Sequence, residues 1–255
     1  MKNLIVITSL LAAGTLAAFA DAPTGTYIDE DGEIQNFEFN GDSYFNFYTL
    51  NLSSGKYKDV LISSNDSDRI KVWIGSGVTF NGFTFNGADA ENYFGGDIGS
   101  VLGGNIVFSN VVDSHIWGKL SSGTHFSIDS NSDIYFNSNV WDIAADLTQP
   151  LVESAGKVGM NSSQTVTLNF LSAELLKEQT ISLVSTGTQV RTDHSAFKAI
   201  AITVDGNAVS DYIATQSEDG KTISISRAVP EPSLFGLLAG TLALALAGTR
   251  RRRRK

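Results

Sequence analysis

The sequence predicts an all-β fold, wound as a β-solenoid with a C-terminal β-hairpin cap and followed by a single C-terminal transmembrane helix; a β-sandwich is the alternative. Three observations lead there. Short apolar-x-apolar bursts recur beside Asn, Gly and Ser from residue 36 onward, the period-two signature of strands parted by polar corners. The chain has no cysteine, so stability has to come from burial and backbone pairing rather than from disulfides. An uncharged run rich in Leu and Ala, from Leu234 to Gly248, precedes a basic terminus.

Taken in order, the chain opens with Lys2, an apolar stretch from Leu4 to Leu16 and the small-residue site Ala18-Phe19-Ala20. That order is a secretory signal peptide over residues 1–20, cleaved after Ala20. The exported part carries all 27 acids but only eleven of the eighteen bases, a net charge near −16. Such a surface repels phosphate backbones, which argues against nucleic-acid partners; it favours solubility and divalent cations.

Residues 21–140 read as a β-rich, repeat-like region. Phe37-Glu38-Phe39, Tyr44 to Tyr48, Val60-Leu61-Ile62 and Ile70 to Ile74 are expected strands, the last followed by the turn Gly75-Ser76-Gly77. Val78-Thr79-Phe80, Phe83-Thr84-Phe85, Ile106-Val107-Phe108, His115-Ile116-Trp117, Phe126-Ser127-Ile128 and Ile134-Tyr135-Phe136 then form an irregular repeat. A short strand, a polar corner and another short strand is what each coil of a solenoid needs, and one coil cannot bury its own face without a neighbour. Asn81, Asn86, Asn110 and Asn137 follow the bursts; Asn tolerates left-handed geometry and can form ladders at corners. Turns every eight to twelve residues fit a sandwich equally well.

Residues 141–228 read as a β region with short helices and capping hairpins. Trp141 to Leu147 and Leu151 to Lys157 have the composition of a short helix or of a loop broken at Pro150. Thr165 to Phe170 is a strand, and Ser172 to Glu178 a short helix with Ser172 as its N-cap. Ile181 to Ser185 is again a strand. Ala199 to Val204 meets the hairpin turn Asp205-Gly206-Asn207, and Tyr212 to Thr215 and Thr222 to Ser226 flank Asp219-Gly220, a sheet suited to cover the last coil.

No residue pattern announces catalysis. Asp129-Ser130-Asn131-Ser132-Asp133 begins like a calcium loop, but Ile134 stands where such a loop needs Gly and Val140 where it needs a bidentate Glu. Asp29-Glu30-Asp31-Gly32-Glu33 and Asn65-Asp66-Ser67-Asp68 are acidic turns. His115 and His125, ten residues apart, are placed to stack one coil apart, without an identifiable third metal ligand; His194 lies between Asp193 and Ser195, and adjacent letters are not a triad. Lys119 is the only basic residue between Asp89 and Leu151, a scarcity that argues against polysaccharide-lyase chemistry. Trp73, Trp117 and Trp141 are candidates for stacking on sugars, although most aromatics here alternate within strands and belong to the core. No metal and no cofactor is expected.

The last segment, 229–255, joins Val229-Pro230-Glu231-Pro232, the apolar run and the basic block Arg250, Arg251, Arg252, Arg253, Arg254 and Lys255. The prolines fix an extended, exposed strip. Seventeen uncharged residues between Pro232 and Arg250 reach roughly 25 Å as a helix at ~1.5 Å per residue, enough to span a thin bilayer core, and the arginines stay on the cytoplasmic side. This tail resembles the PEP-CTERM sorting signal of bacterial exported proteins. The resemblance implies a membrane-anchored precursor, processing by an exosortase-type protease, and delivery to the cell envelope, surface or extracellular matrix, with exopolysaccharide as a partner there. The body resembles autotransporter-like β-solenoid surface proteins in texture. The expectation is a structural or adhesive surface protein, not an enzyme, with a carbohydrate-active enzyme or a glycan-binding module on a β-solenoid as alternatives.

Overall fold

The computed structural model describes residues 23–42, 47–64, 70–87, 94–137, 140–143, 149–160, 166–176, 181–188 and 200–227. The chain starts with a hairpin of β1 (Thr24–Ile28) and β2 (Ile34–Asn36), turned at Gly32 with φ +87°. Next, β3 (Glu38–Asp42) lies antiparallel to β4 (Phe47–Asn51), and β5 (Gly55–Ser64) runs antiparallel to β1. From β4 the chain winds, and each new strand is parallel to the one a coil earlier. The succession is β6 (Ile70–Ile74), β7 (Val78–Gly87), β8 (Phe94–Ile98), β9 (Val101–Ser109), β10 (Ser114–Ile116) and β11 (His125–Ile128). It continues with β12 (Asp133–Phe136), β13 (Val140–Ile143), β14 (Val152–Ser154), β15 (Lys157–Met160), β16 (Val166–Phe170) and β17 (Ile181–Thr186). β18 (Ile200–Val204) adds a parallel partner to β16, and β19 (Asn207–Ala208), β20 (Tyr212–Gln216) and β21 (Thr222–Arg227) then pair antiparallel.

Three sheets result, in the orders β2-β1-β5-β7-β9-β11-β14-β17-β21-β20, β15-β12-β10-β8-β6-β4-β3, and β13-β16-β18-β19. The fold is thus all-β and solenoidal, as expected, rather than a sandwich. Both ends of the first sheet are closed by antiparallel hairpins, β1–β2 on one side and β20–β21 on the other. Capping matters because an open parallel stack presents a row of unpaired amides and carbonyls to any passing strand.

Along the coil strands of the first sheet, alternate residues point inward and meet their equivalents from the next coil. One column of the first sheet runs Val60, Phe83, Ile106, Phe126, Val152, Val184 and Ile223, all at most 1 % exposed. Its parallel members lie 23, 23, 20, 26 and 32 residues apart, so no fixed repeat length exists. Phenylalanines fill the interior of the early and middle coils: Phe85 meets Phe94 at 4.5 Å between ring centroids, and Phe126 meets Phe136 edge-on at 5.2 Å. Such rings bury large area and gain from edge-to-face contact.

The two bursts Val78–Phe80 and Phe83–Phe85 belong to one strand, β7, which bends at Gly82. Asp59, Gly82 and Gly104 sit at this bend in successive coils with φ of +46°, +82° and +69°. Left-handed geometry turns the chain through a corner without ending its ladder, and Gly accepts it at no steric cost. In later coils the bend widens and the segment before it separates. Leu120 makes single parallel bridges to Leu102 and to Trp141, and from Trp141 the third sheet begins.

Three local expectations change. Val140–Ile143 is a strand rather than a helix or loop, because Trp141 and Ile143 alternate inward and pair with Leu168 and Phe170, and ladder neighbours outweigh local composition. Leu151 to Lys157 likewise carries β14 and the start of β15. The helix expected over Ser172 to Glu178 is a 3-10 turn at Ala173–Leu176; Ser172 Oγ accepts the Glu174 amide at 3.2 Å, the N-cap role read from the sequence. Among the described residues no helix is long and apolar enough to cross a membrane.

Candidate functional site

The outward face of the second sheet is built by simple alternation. In Ile70-Lys71-Val72-Trp73-Ile74 the isoleucines and valine point inward, which puts Lys71 and Trp73 outside. Parallel register stacks Thr49, Trp73, Asp97, His115, Tyr135 and Gly159 into one outer column. Beside it, Gly99 lies against Gly75, and Trp117 follows Gly99 in the next coil, its amide donating to Ile98 O at 2.8 Å. Trp73 is 48 % and Trp117 41 % exposed, whereas Trp141 is 1 % exposed. Two of the three tryptophans therefore meet solvent, and Trp141 is core, packed on Phe136.

Polar groups on this face are held in place. Lys71 Nζ lies 3.2 Å from Asp97 Oδ2. His115 stacks between Tyr135, at 5.0 Å, and Trp117, at 6.2 Å. Asn137 Nδ2 is 3.0 Å from His115 Nδ1, and Asp113 Oδ1 is 3.2 Å from His115 Nε2. Asn137 Nδ2 donates, so His115 Nδ1 accepts and the Nε2–H points at Asp113. His125 lies on the first sheet, 3.9 Å from Glu153 Oε2, so the two histidines face different sides and do not stack. The register explains this: ten residues is half a coil here, not a whole one.

A second feature is a shallow groove of about 430 Å³ along the bend, over Lys58, Asp59, Asn81, Gly82, Gly104 and Asn105. It adjoins a wider hollow of about 760 Å³ that shares Lys58 and Asn81 and is edged by the turn Asp29–Gly32. Lys58 and Asp59 are 3.8 Å apart and well exposed, a contact of small energy. In the turn, Asp29 Oδ1 accepts the amides of Asp31 and Glu33 at 3.1 and 2.8 Å, and Oδ2 accepts Gln35 Nε2 at 2.7 Å. The Glu33 amide, then Gln35, lowers the Asp29 pKa below its ordinary 3.8. A general acid needs the opposite shift.

The run Asp129–Asp133 is a structural corner. Asp129 accepts Ser109 Oγ at 2.9 Å, Asn110 N at 3.0 Å, Asn131 N at 3.1 Å and Ser132 Oγ at 2.6 Å. Asn131 Nδ2 donates to Asn110 Oδ1 at 2.8 Å, an asparagine rung between coils. Among the described residues no three His, Asp or Glu side chains converge to hold a metal ion. Lys119 is engaged by Asp142 at 2.6 Å, and Asp142 also accepts Asn169 Nδ2 at 2.9 Å, a rung on the third sheet. Ala18, Ala20, Asn65 to Asp68, His194, Val229 to Pro232 and Arg250 to Lys255 lie outside the described residues. Sequence reasoning set Trp73, Trp117 and Trp141 on equal terms; the in-out alternation of IKVWI was the available signal that separates Trp73. Asp97 was missed as its neighbour because only register brings the two together.

Compared with protein-family models, curated proteins and solved structures, the chain matches none.

Proposed function

We propose that the protein is an exported, non-enzymatic β-solenoid of the bacterial surface or matrix, with a structural or adhesive role, delivered by a PEP-CTERM-type tail. The observation that carries the adhesive role is the outward face of the second sheet, where Trp73 and Trp117 stand in water beside fixed polar groups. A body whose first sheet is capped at both ends leaves its outward faces as the surfaces for contact, and indoles standing beside fixed polar groups suit that use. The delivery rests on the tail's order: Pro230-Glu231-Pro232, an uncharged span, then Arg250 to Lys255. An exosortase-type protease is the processing partner.

The test is fractionation with mass spectrometry of both ends of the mature protein. Processing should remove residues 1–20 and the apolar tail. Pro230→Ala with Pro232→Ala, or loss of residues 250–255, should leave the chain in the membrane or misdirected. An intact precursor free in the cytosol would overturn the proposal.

A further inference from the structure

Trp73 and Trp117 are separated by two strand spacings along the solenoid, about 9.5 Å at ~4.8 Å per strand, since β8 lies between β6 and β10. They are also offset by two residues along the strand, because His115 and not Trp117 continues the Trp73 column. Trp73 leans over Gly75, its Nε1 within 3.9 Å of where a Cβ would sit there. Between the two indoles the surface is the side-chain-free strip Gly75–Gly99. Along one edge of the strip stand Asp97, paired with Lys71, and His115, held by ring stacking and by Asp113 and Asn137. The face thus offers two apolar plates at a separation that a disaccharide unit of an extended chain covers. Oriented donors and acceptors lie at its edge: Asp97 beside Trp73 on the intervening strand, and His115 beside Trp117.

Charge selects among occupants. The exported part is near −16, so a second copy of the chain or an acidic polysaccharide meets like charge. The one lysine on this strip is already paired with Asp97. Self-association through a sheet face also needs a continuous apolar surface, and here an ion pair and glycines interrupt it.

We propose that this face binds an uncharged glycan chain: sugar rings stack on Trp73 and Trp117 across the Gly75–Gly99 strip, while Lys71, Asp97 and His115 hydrogen-bond the ring hydroxyls. Sugar rings expose flat C–H faces together with equatorial hydroxyls, which is the pairing of apolar plate and polar edge found here. The inference rests on the proposed function, since an exported body is what meets such a chain.

The experiment is native gel electrophoresis of the full-length chain in mild detergent, through gels containing hydroxyethylcellulose, laminarin, galactomannan or alginate. In parallel, tryptophan fluorescence is titrated with the glycan that retards the protein. At least one uncharged glycan should retard the wild-type chain, and alginate should not. Because Trp141 is buried, acrylamide quenching reports Trp73 and Trp117, and the bound glycan should protect them. Trp73→Ala and Trp117→Ala should each weaken binding about tenfold, the scale expected when a central tryptophan is truncated, and the double variant should abolish it. Both side chains are outward, so the variants should melt at the wild-type temperature; Trp73→Phe and Trp117→Phe should restore part of the affinity and serve as reference if an alanine variant misfolds.

No retardation by any uncharged glycan, retention that survives the double variant, equal retention by alginate, or self-association lost on removing the indoles would each overturn the inference. Fractionation reads the proposed function separately. A surface-delivered chain that binds no glycan refutes only the platform, and a glycan-binding chain found intact in cytosol refutes only the delivery.

Discussion

Single carboxylates do much of the shaping at turns. Asp29 gathers two amides and a side-chain amide in the turn of β1–β2, and Asp219 accepts Ser217 Oγ at 2.6 Å and the Lys221 amide at 3.1 Å in the turn of β20–β21. Both carboxyls are held below the ordinary 3.8, Asp219 chiefly by the Ser217 hydroxyl and then by the Lys221 amide. A lowered folded-state pKa contributes stability that is present above the unfolded value and lost as pH falls through the folded one. Acidification below about pH 3.8 should therefore loosen both capping turns, read as falling hydrogen-exchange protection at the Asp31, Glu33 and Lys221 amides. Asp29→Ala should remove protection at Asp31 and Glu33 already at neutral pH, leaving the other end unchanged.

At the scale of elements, the inward columns set stability. Phe126 is fully buried, stacked on Phe108 at 6.3 Å and edge-on to Phe136 at 5.2 Å. Phe126→Ala should cost about 3–5 kcal/mol by lost burial and the cavity left behind, measured by denaturant unfolding. The strands were legible because their alternation is local: Ile106-Val107-Phe108 and Ile134-Tyr135-Phe136 each lie where the pattern put them. Corners were legible only in part: Asn110, expected at one, has φ +53° and meets Asn131 in a rung between coils. Asn81-Gly82 reads as a break between strands, yet a left-handed residue there keeps the ladder running through the bend. The third sheet left no trace before residue 140, because its precursor is Leu120 alone, outside any burst. The opening hairpin was missed since Thr24–Ile28 and Ile34–Asn36 are too short and polar to show a period. For the candidate site, Trp73 and Trp117 were legible as residue types, while their shared face depends on coil lengths that no local pattern encodes.

Over the whole molecule, antiparallel strands seal the first sheet at both ends and the second at its β3 end, while β15 is the last described strand of the second. Removing the β20–β21 hairpin would bare the β17 edge, and the shortened chain should form higher oligomers in light scattering where the complete chain does not. The coils between the caps touch only their immediate neighbours, and their length already varies from 20 to 32 residues along one column. An added winding would therefore need to satisfy just two adjacent layers, leaving both termini as they are, and would lengthen the body by about 4.8 Å. Reach and closure are thus separate properties of this architecture: duplication or loss of an internal layer can tune the length of the body without disturbing its capping hairpins.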